Sequence, residues 1–204
     1  MIYLMRHGQT HWNAEQRFQG WQDSPLTERG QAQARAAGRL LRDLAVDTFG
    51  LTVISSPLGR ARQTATLVLE ELGLAPEHMQ TDERLKEVGL GAWEGMLDAV
   101  VERDWAELHT ARRADPWNVP PPGGETHDDV MNRVADWLAE QSEERPLLIV
   151  THGVAGRILR GVYLKLTRSE IRAQPTFGQD ELHVLADGEY GILSTTDETA
   201  FWDD

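Results

Sequence analysis

Short apolar runs of four or five residues recur along this chain, each closed by a turn signal and separated by stretches with helical periodicity. They are Ile2 to Met5, Leu51 to Ser55, Leu147 to Thr151, Leu182 to Leu185 and Tyr190 to Ser194. Apolar runs this short, bounded by Gly, Pro and polar clusters, read as buried strands. Strands alternating with helices specify an α/β domain. With 204 residues the chain can bury one sizeable core and is short for two. No internal repeat interrupts it, and Pro120-Pro121-Pro122-Gly123-Gly124 reads as an extended loop.

The helical stretches carry their own start and stop signals. Thr27 is placed to cap a helix running to about Leu44, with Ala32, Ala36, Leu40 and Leu44 as its apolar row. Ser56-Pro57 reads as an N-cap followed by Pro at the first helical position. The helix after it buries Ala61, Ala65, Val68, Leu69 and Leu72, and Gly73 suits the position just past its end. Thr126 and Asp129 form a variant capping box before Val130, Val134, Trp137 and Leu138. A further helix is expected after Gly153, and Met96 to Pro122 is expected to be partly helical.

Composition excludes several classes of chemistry. There is no cysteine, so disulfides, thiolate zinc sites, iron–sulfur clusters and cysteine nucleophiles are ruled out. No histidine spacing suggests a metal site. The formal net charge of −13 disfavours nucleic acid as a partner. It does not disfavour one compact basic pocket, because charges more than roughly 8 Å apart are screened at physiological salt. No apolar run approaches the roughly 18 residues that span a bilayer. The start MIYLMRHG lacks a secretory pattern, so the expected location is cytoplasmic, with no membrane partner.

Two histidines stand at equivalent places. Arg6-His7-Gly8 closes the first strand and Thr151-His152-Gly153 closes a later one. Ligands of open α/β sheets bind outside the carboxyl ends of the strands, so both imidazoles can face one crevice. Arg60 lies near the start of a helix that itself follows a strand, and helix N-termini favour anions. A glycine directly after each histidine permits a sharp turn and close approach to a ligand. Two arginines, two histidines and a helix terminus suit a phosphate dianion.

The same residues sit in a longer ordered pattern. Arg6-His7-Gly8-Gln9-Thr10 with Trp12-Asn13 resembles the signature of the histidine phosphatase superfamily, which includes cofactor-dependent phosphoglycerate mutases. The likeness continues through Gln19-Gly20-Trp21, Pro25 to Gly30, Ser55 to Ala65, Leu85-Lys86-Glu87, Gly91 to Gly95, Gly123 to Thr126 and His152-Gly153. The resemblance implies a three-layer α/β/α sandwich around a mostly parallel sheet. It implies one domain over 1–204, with residues of about 96–122 as a partial lid or insertion.

The resemblance also implies roles. His7 would attack phosphorus, dividing one displacement into two through a phosphohistidine. Arg6 and Arg60 would clamp the equatorial oxygens, and a protonated His152 would complete the clamp. Asn13 would add a donor, while Gln19, Gly20 and Gly153 would contact substrate. Glu87 would protonate the leaving alcohol and then deprotonate water; Glu94 is its close competitor. No cofactor and no metal is implied. The partner is a small phosphorylated metabolite, and the chain can be a monomer or a homodimer.

Simpler readings stand beside these. Asn13 can cap a turn, and Thr126 is a helix cap first. Trp105, Trp117 and Trp137 read as packing, whereas Trp21 can line the mouth. Arg112-Arg113 reads more simply as a solvated pair than as a second anion site. His11, His78, His109, His127 and His183 read as surface histidines. Within the family, hydrolysis competes with a phosphoglycerate mutase. Only 27 residues lie between Gly95 and Gly123, little material for a lid, and Gln19 departs from the small residue usual in mutases. Both points favour hydrolysis. A non-catalytic phospholigand-binding domain is the third reading, disfavoured because binding alone needs no acid–base residue.

Overall fold

The computed structural model describes residues 1–141, 145–175 and 177–196. Its elements run β1 (Ile2–Arg6), α1 (His11–Ala14), α2 (Glu28–Asp43), β2 (Thr52–Ser55), α3 (Gly59–Glu71) and β3 (Met79–Thr81). Next come α4 (Asp98–Asp104), α5 (Ala106–Ala114), α6 (His127–Ala139), β4 (Leu147–Thr151), α7 (Gly153–Tyr163), α8 (Arg168–Ala173), β5 (Glu181–Ala186) and β6 (Glu189–Ser194). The strands form one sheet in the order β3-β2-β4-β1-β5-β6. β3, β2, β4 and β1 pair in parallel, and β5 and β6 extend the sheet as an antiparallel pair.

Strand alternation builds the three layers. Ile2, Leu4, Ile54, Leu147, Ile149 and Leu185 point to one face, where Val130, Val134 and Trp137 of α6 and Ile158 and Leu159 of α7 cover them. Tyr3, Met5, Val53, Leu148, Val150 and Leu182 point to the other, beneath Leu41 of α2 and Ala61, Ala65, Val68 and Leu69 of α3. Every residue of β4 is buried, as a central parallel strand covered on both faces requires. Burying one such Leu or Ile side chain is worth about 1.5–3 kcal/mol.

Several local expectations are corrected. The buried face of α2 is Gly30, Gln33, Ala34, Ala37, Gly38 and Leu41, whereas Ala32 is exposed. Small residues define it because α2 lies close against α3: a Cβ on Gly38 would sit 2.6 Å from that of Glu71. α3 starts at Gly59 rather than Pro57, with Leu58 at its N-cap and no side-chain cap of its own. β3 has no counterpart among the expected strands, since two of its three residues are exposed. Thr27 caps α2, Thr126 and Asp129 form a complete capping box on α6, and Gly73 takes a φ of +70° beyond α3. The 96–122 segment supplies α4 and α5, with Val101 and Trp117 buried in the α6–α7 core. The acidic stretch from Asp197 to Asp204 lies outside the described residues.

Candidate active site

The parallel register of β1 with β4 brings the two histidines together. Arg6 is level with Thr151, and the His7 amide donates to the Thr151 carbonyl at 2.9 Å. The side chains just beyond these strand ends therefore share the carboxyl edge of the sheet, with imidazole centroids 5.2 Å apart. Both rings are almost wholly buried.

His7 is set up as a neutral nucleophile. Its Nδ1 lies 2.8 Å from the Gly8 carbonyl oxygen, which can only accept. The hydrogen is thus assigned to Nδ1, leaving the Nε2 lone pair available. The Arg60 Nε–H points at that lone pair from 3.3 Å. Burial, then Arg60, then Arg6 push the His7 pKa well below its ordinary value. Gly8 is held by its amide donating to Thr64 Oγ1 at 3.1 Å. A Cβ on Gly8 would lie 2.2 Å from the Gly30 carbonyl oxygen, so this glycine admits the start of α2 rather than a ligand.

Loop 18–23 secures Arg60. Its Nη2 donates to the Gly20 carbonyl at 2.8 Å, and Nη1 donates to the Gln22 carbonyl at 2.8 Å and to Asp23 Oδ1 at 3.1 Å. Asp23 also accepts from the Arg60 main-chain N–H at 3.2 Å, supplying the start of α3 with the acceptor that Leu58 lacks. Gly20 needs its φ of +53°, and a Cβ there would strike Glu94 Oε1 at 2.2 Å. Arg6 donates from Nη1 to the Phe177 carbonyl at 3.2 Å, while its buried Nε has no partner among the described residues.

The carboxylates divide clearly. Glu87 accepts on Oε1 from Val88 N at 2.9 Å and Ala155 N at 3.2 Å, and on Oε2 from Val154 N at 3.2 Å. It therefore sits on the N-terminus of α7, where the helix dipole favours an anion. Burial lowers the pKa of both Arg6 and Arg60, and Glu87 is the first charge opposing that shift in each. Its main-chain carbonyl receives Trp21 Nε1 at 2.9 Å and Arg133 Nη2 at 3.0 Å. Glu94 instead accepts from the main-chain N–H groups of Trp21, Gln22 and Leu90, which makes it the organiser of loop 18–23.

The remaining candidates differ. His152, at the N-cap of α7, approaches Ser56 Oγ at 2.7 Å through Nε2, and its buried Nδ1 has no partner among the described residues. Burial, Arg60, His7, Arg6 and Arg133 lower its pKa well below the ordinary value. These causes all oppose the charge that a protonated His152 would carry. Gly153 lies against the Arg6 guanidinium. Asn13 forms a capping box with Thr10 and accepts from Gln179 Nε2 at 2.9 Å, so its oxygen is engaged and Nδ2 is the part of the amide left over. Gln19 is buried, with Oε1 unpartnered among the described residues. A cavity of about 650 Å³ lined by Leu164, Gln174, Pro175 and Tyr190 includes none of these side chains. Chemistry rather than cavity size locates the site.

Residues 2–188 match the profile described as "Histidine phosphatase superfamily (branch 1)". The chain belongs to that superfamily. A 2,3-bisphosphoglycerate-dependent phosphoglycerate mutase of Methylobacterium radiotolerans is 37% identical, over 84% of this chain and 82% of the relative. Its counterpart in Rhizobium meliloti is 35% identical, over 83% and 82%. Among solved structures, mycobacterial glucosyl-3-phosphoglycerate phosphatase is 32% identical with a TM-score of 0.81, covering 95% of this chain and 96% of that one. The Shigella flexneri alpha-ribazole phosphatase is 25% identical, with a TM-score of 0.81 and coverage of 100% and 99%. The members this chain is similar to thus include both mutases and phosphatases. The mutases are matched over nearly equal shares of both chains, so the expectation that a short 96–122 segment favours hydrolysis finds no support in a difference of chain length.

Other parts of this superfamily member depart from the sequence reading. Arg112 is buried and donates to the Val119 and Glu125 carbonyls, so Arg112-Arg113 is not a solvated pair. His109, His127 and His183 are buried too, each against an aromatic ring. Trp21 is 46% exposed beside Glu87, with the Lys86 ammonium 4.5 Å from its ring. Asp23, Ser56 and the Phe177 carbonyl escaped sequence reasoning. Asp23 falls between the matched segments Gln19-Gly20-Trp21 and Pro25 to Gly30, and its spacing from Arg60 gave no signal. Among the described residues no helix is long and apolar enough to cross a membrane, and no group of three or more His, Asp or Glu side chains is placed to hold a metal ion.

Proposed function

We propose that this enzyme hydrolyses phosphomonoesters of small metabolites through a phosphohistidine on His7 Nε2. One observation carries the nucleophile: a buried imidazole whose Nδ1 is committed to the Gly8 carbonyl, so that the Nε2 lone pair faces the Arg60 Nε–H at 3.3 Å. In the first half-reaction Nε2 attacks phosphorus and the P–O bond to the alcohol breaks. Arg6, Arg60 and His152 hold the three equatorial oxygens as charge redistributes. Glu87, carrying a proton on Oε2 where one lone pair is not taken by a main-chain donor, transfers that proton to the departing oxygen and becomes the carboxylate. In the second half-reaction it takes a proton from water, which attacks phosphorus and releases inorganic phosphate and His7. Asn13 Nδ2, Gln19, the Gly20 main chain and the Gly153 end of α7 complete the substrate contacts.

Water is favoured as the acceptor because a mutase must also grip a second anionic group on its substrate. Arg112, one of the two adjacent cations the sequence offers for that task, is turned onto main-chain carbonyls. The mutase reading draws support from the names of the curated relatives. Acid-quench labelling with a ³²P-phosphomonoester separates the readings. Hydrolysis requires label on His7 that turns over to inorganic phosphate. Lasting label with isomerised phosphoglycerate would establish the mutase, and neither label nor turnover across a broad panel would leave a binding domain. Glu87→Gln is expected to slow alkyl ester hydrolysis by about 10²–10⁴-fold while phosphate binding persists. Wild-type turnover in that variant sinks the acid assignment.

A further inference from the structure

We infer that Ser56 is a positioning residue that fixes His152 as the imidazole protonated on Nδ1, so that this ring donates to the phosphoryl group without carrying a charge. The inference rests on the phosphoryl-transfer reading above and deepens it. Its basis is a count of hydrogens at a buried junction. Ser56 is fully buried, and its Oγ accepts from the Leu58 main-chain N–H at 3.3 Å. The hydroxyl hydrogen then has one acceptor within reach among the described residues, His152 Nε2 at 2.7 Å. A buried hydroxyl that fails to donate leaves a polar group unsatisfied, at about 1–3 kcal/mol. Donation to Nε2 removes that penalty and places the ring hydrogen on Nδ1.

The opposite assignment fails twice. If Nε2–H donated to Oγ, the serine hydrogen would be stranded. Nδ1 would also present a lone pair where a phosphoryl oxygen, itself rich in lone pairs, must bind. Among the described residues Nδ1 has no partner, as a donor reserved for substrate should. The scaffold makes the junction rigid. Ser55 is level with Val150 in the β2–β4 ladder, and Ser56 N donates to the Val150 carbonyl at 2.9 Å. Serine and histidine thus project from adjacent, hydrogen-bonded strand ends.

The surroundings favour the uncharged form. Arg60 from α3, Arg6 and His7 from the end of β1, and Arg133 from α6 all oppose a charge on His152, in addition to its burial. Glu87 lies at the same helix terminus but hydrogen-bonds to main-chain amides rather than to the ring. A serine-oriented neutral donor therefore keeps the clamp working where an imidazolium is costly.

The test reads the ring directly in the wild-type protein. ¹H–¹⁵N correlation spectra of ¹⁵N-histidine-labelled enzyme should show His152 with hydrogen on Nδ1 and none on Nε2, unchanged from pH 5.5 to 8. A proton on Nε2, or an imidazolium titrating near pH 6.5, overturns the inference. Ser56→Ala supplies the kinetic arm, with p-nitrophenyl phosphate, whose leaving group needs no acid. Hydrogen-bond partners that orient metal-ligating imidazoles are worth about 10–100-fold in activity; by the same orienting effect kcat should fall comparably here, while Ser56→Thr restores most of it. In a His152→Gln background the serine substitution should have no further effect. An equal, multiplicative loss there means Ser56 acts elsewhere and refutes the assignment. Acid-quench labelling of the wild type keeps the two readings separate. Normal His7 label with the wrong tautomer rejects only this inference, and absent label rejects phosphoryl transfer itself.

Discussion

Replacing His127 by Gln removes one buried imidazole, and the structure sets what that does to acid stability. His127 is 6% exposed at the start of α6, edge-on to Trp117. Burial, reinforced by Arg112, Arg157 and Arg172, lowers its pKa to about 3. The unfolded chain binds a proton at this site near pH 6.5, whereas the folded chain does not until about pH 3. Because the folded value is the lower one, stability is complete above pH 6.5 and is lost as the pH falls towards 3. At about 1.36 kcal/mol per pH unit, this one group removes about 2 kcal/mol between pH 7 and pH 5. Urea unfolding of wild type and His127→Gln at both pH values isolates the term, since His7, His152 and His183 remain in both proteins. With a slope of about 2 kcal/mol/M, the wild-type midpoint should fall about 1 M further than the variant's. Equal shifts in the two proteins would show that His127 is not held neutral by the fold.

Two pairs of variants bear on the site. Gly20→Ala should both destabilise the protein, by about 1–2 kcal/mol from left-handed backbone strain alone, and lower kcat/KM at least tenfold as Glu94 and the Arg60 cradle shift. Gly188→Ala carries similar strain at φ +79° with nothing within 4 Å, so its melting temperature should fall while kcat/KM stays at the wild-type value. Glu94→Gln should depress hydrolysis of alkyl and p-nitrophenyl phosphates by the same factor. Glu87→Gln should spare the p-nitrophenyl ester, and a reversed leaving-group pattern would exchange the roles of the two carboxylates.

Much of this architecture was legible because hydrophobic pattern and capping chemistry are local. The apolar run Leu147 to Thr151 coincides with β4, and Thr27 and Thr126 cap the helices expected of them. Both histidines were placed at one crevice by their positions after strands, and the register confirms that placement. What escaped depends on contacts distant in sequence. Asp23 meets Arg60 across 37 positions and Ser56 meets His152 across 96. Neither pairing leaves a trace in periodicity. The buried face of α2 was misplaced because Ala34, Ala37 and Gly38 contribute closeness rather than hydrophobicity. His183 read as a surface group because its position in β5 does not disclose Arg160 and Glu181, which bond to its two ring nitrogens.

The carboxylate of Asp23 answers two demands at once, the first turn of α3 and the guanidinium beside the nucleophile. The segment that carries it cannot swing outward and leave the enzyme armed. Displacement strips the helix of its acceptor and loosens Arg60 in the same movement, and return restores both together. Helix start and nucleophile clamp thus hang on one carboxylate, and a change at Asp23 reaches both at once.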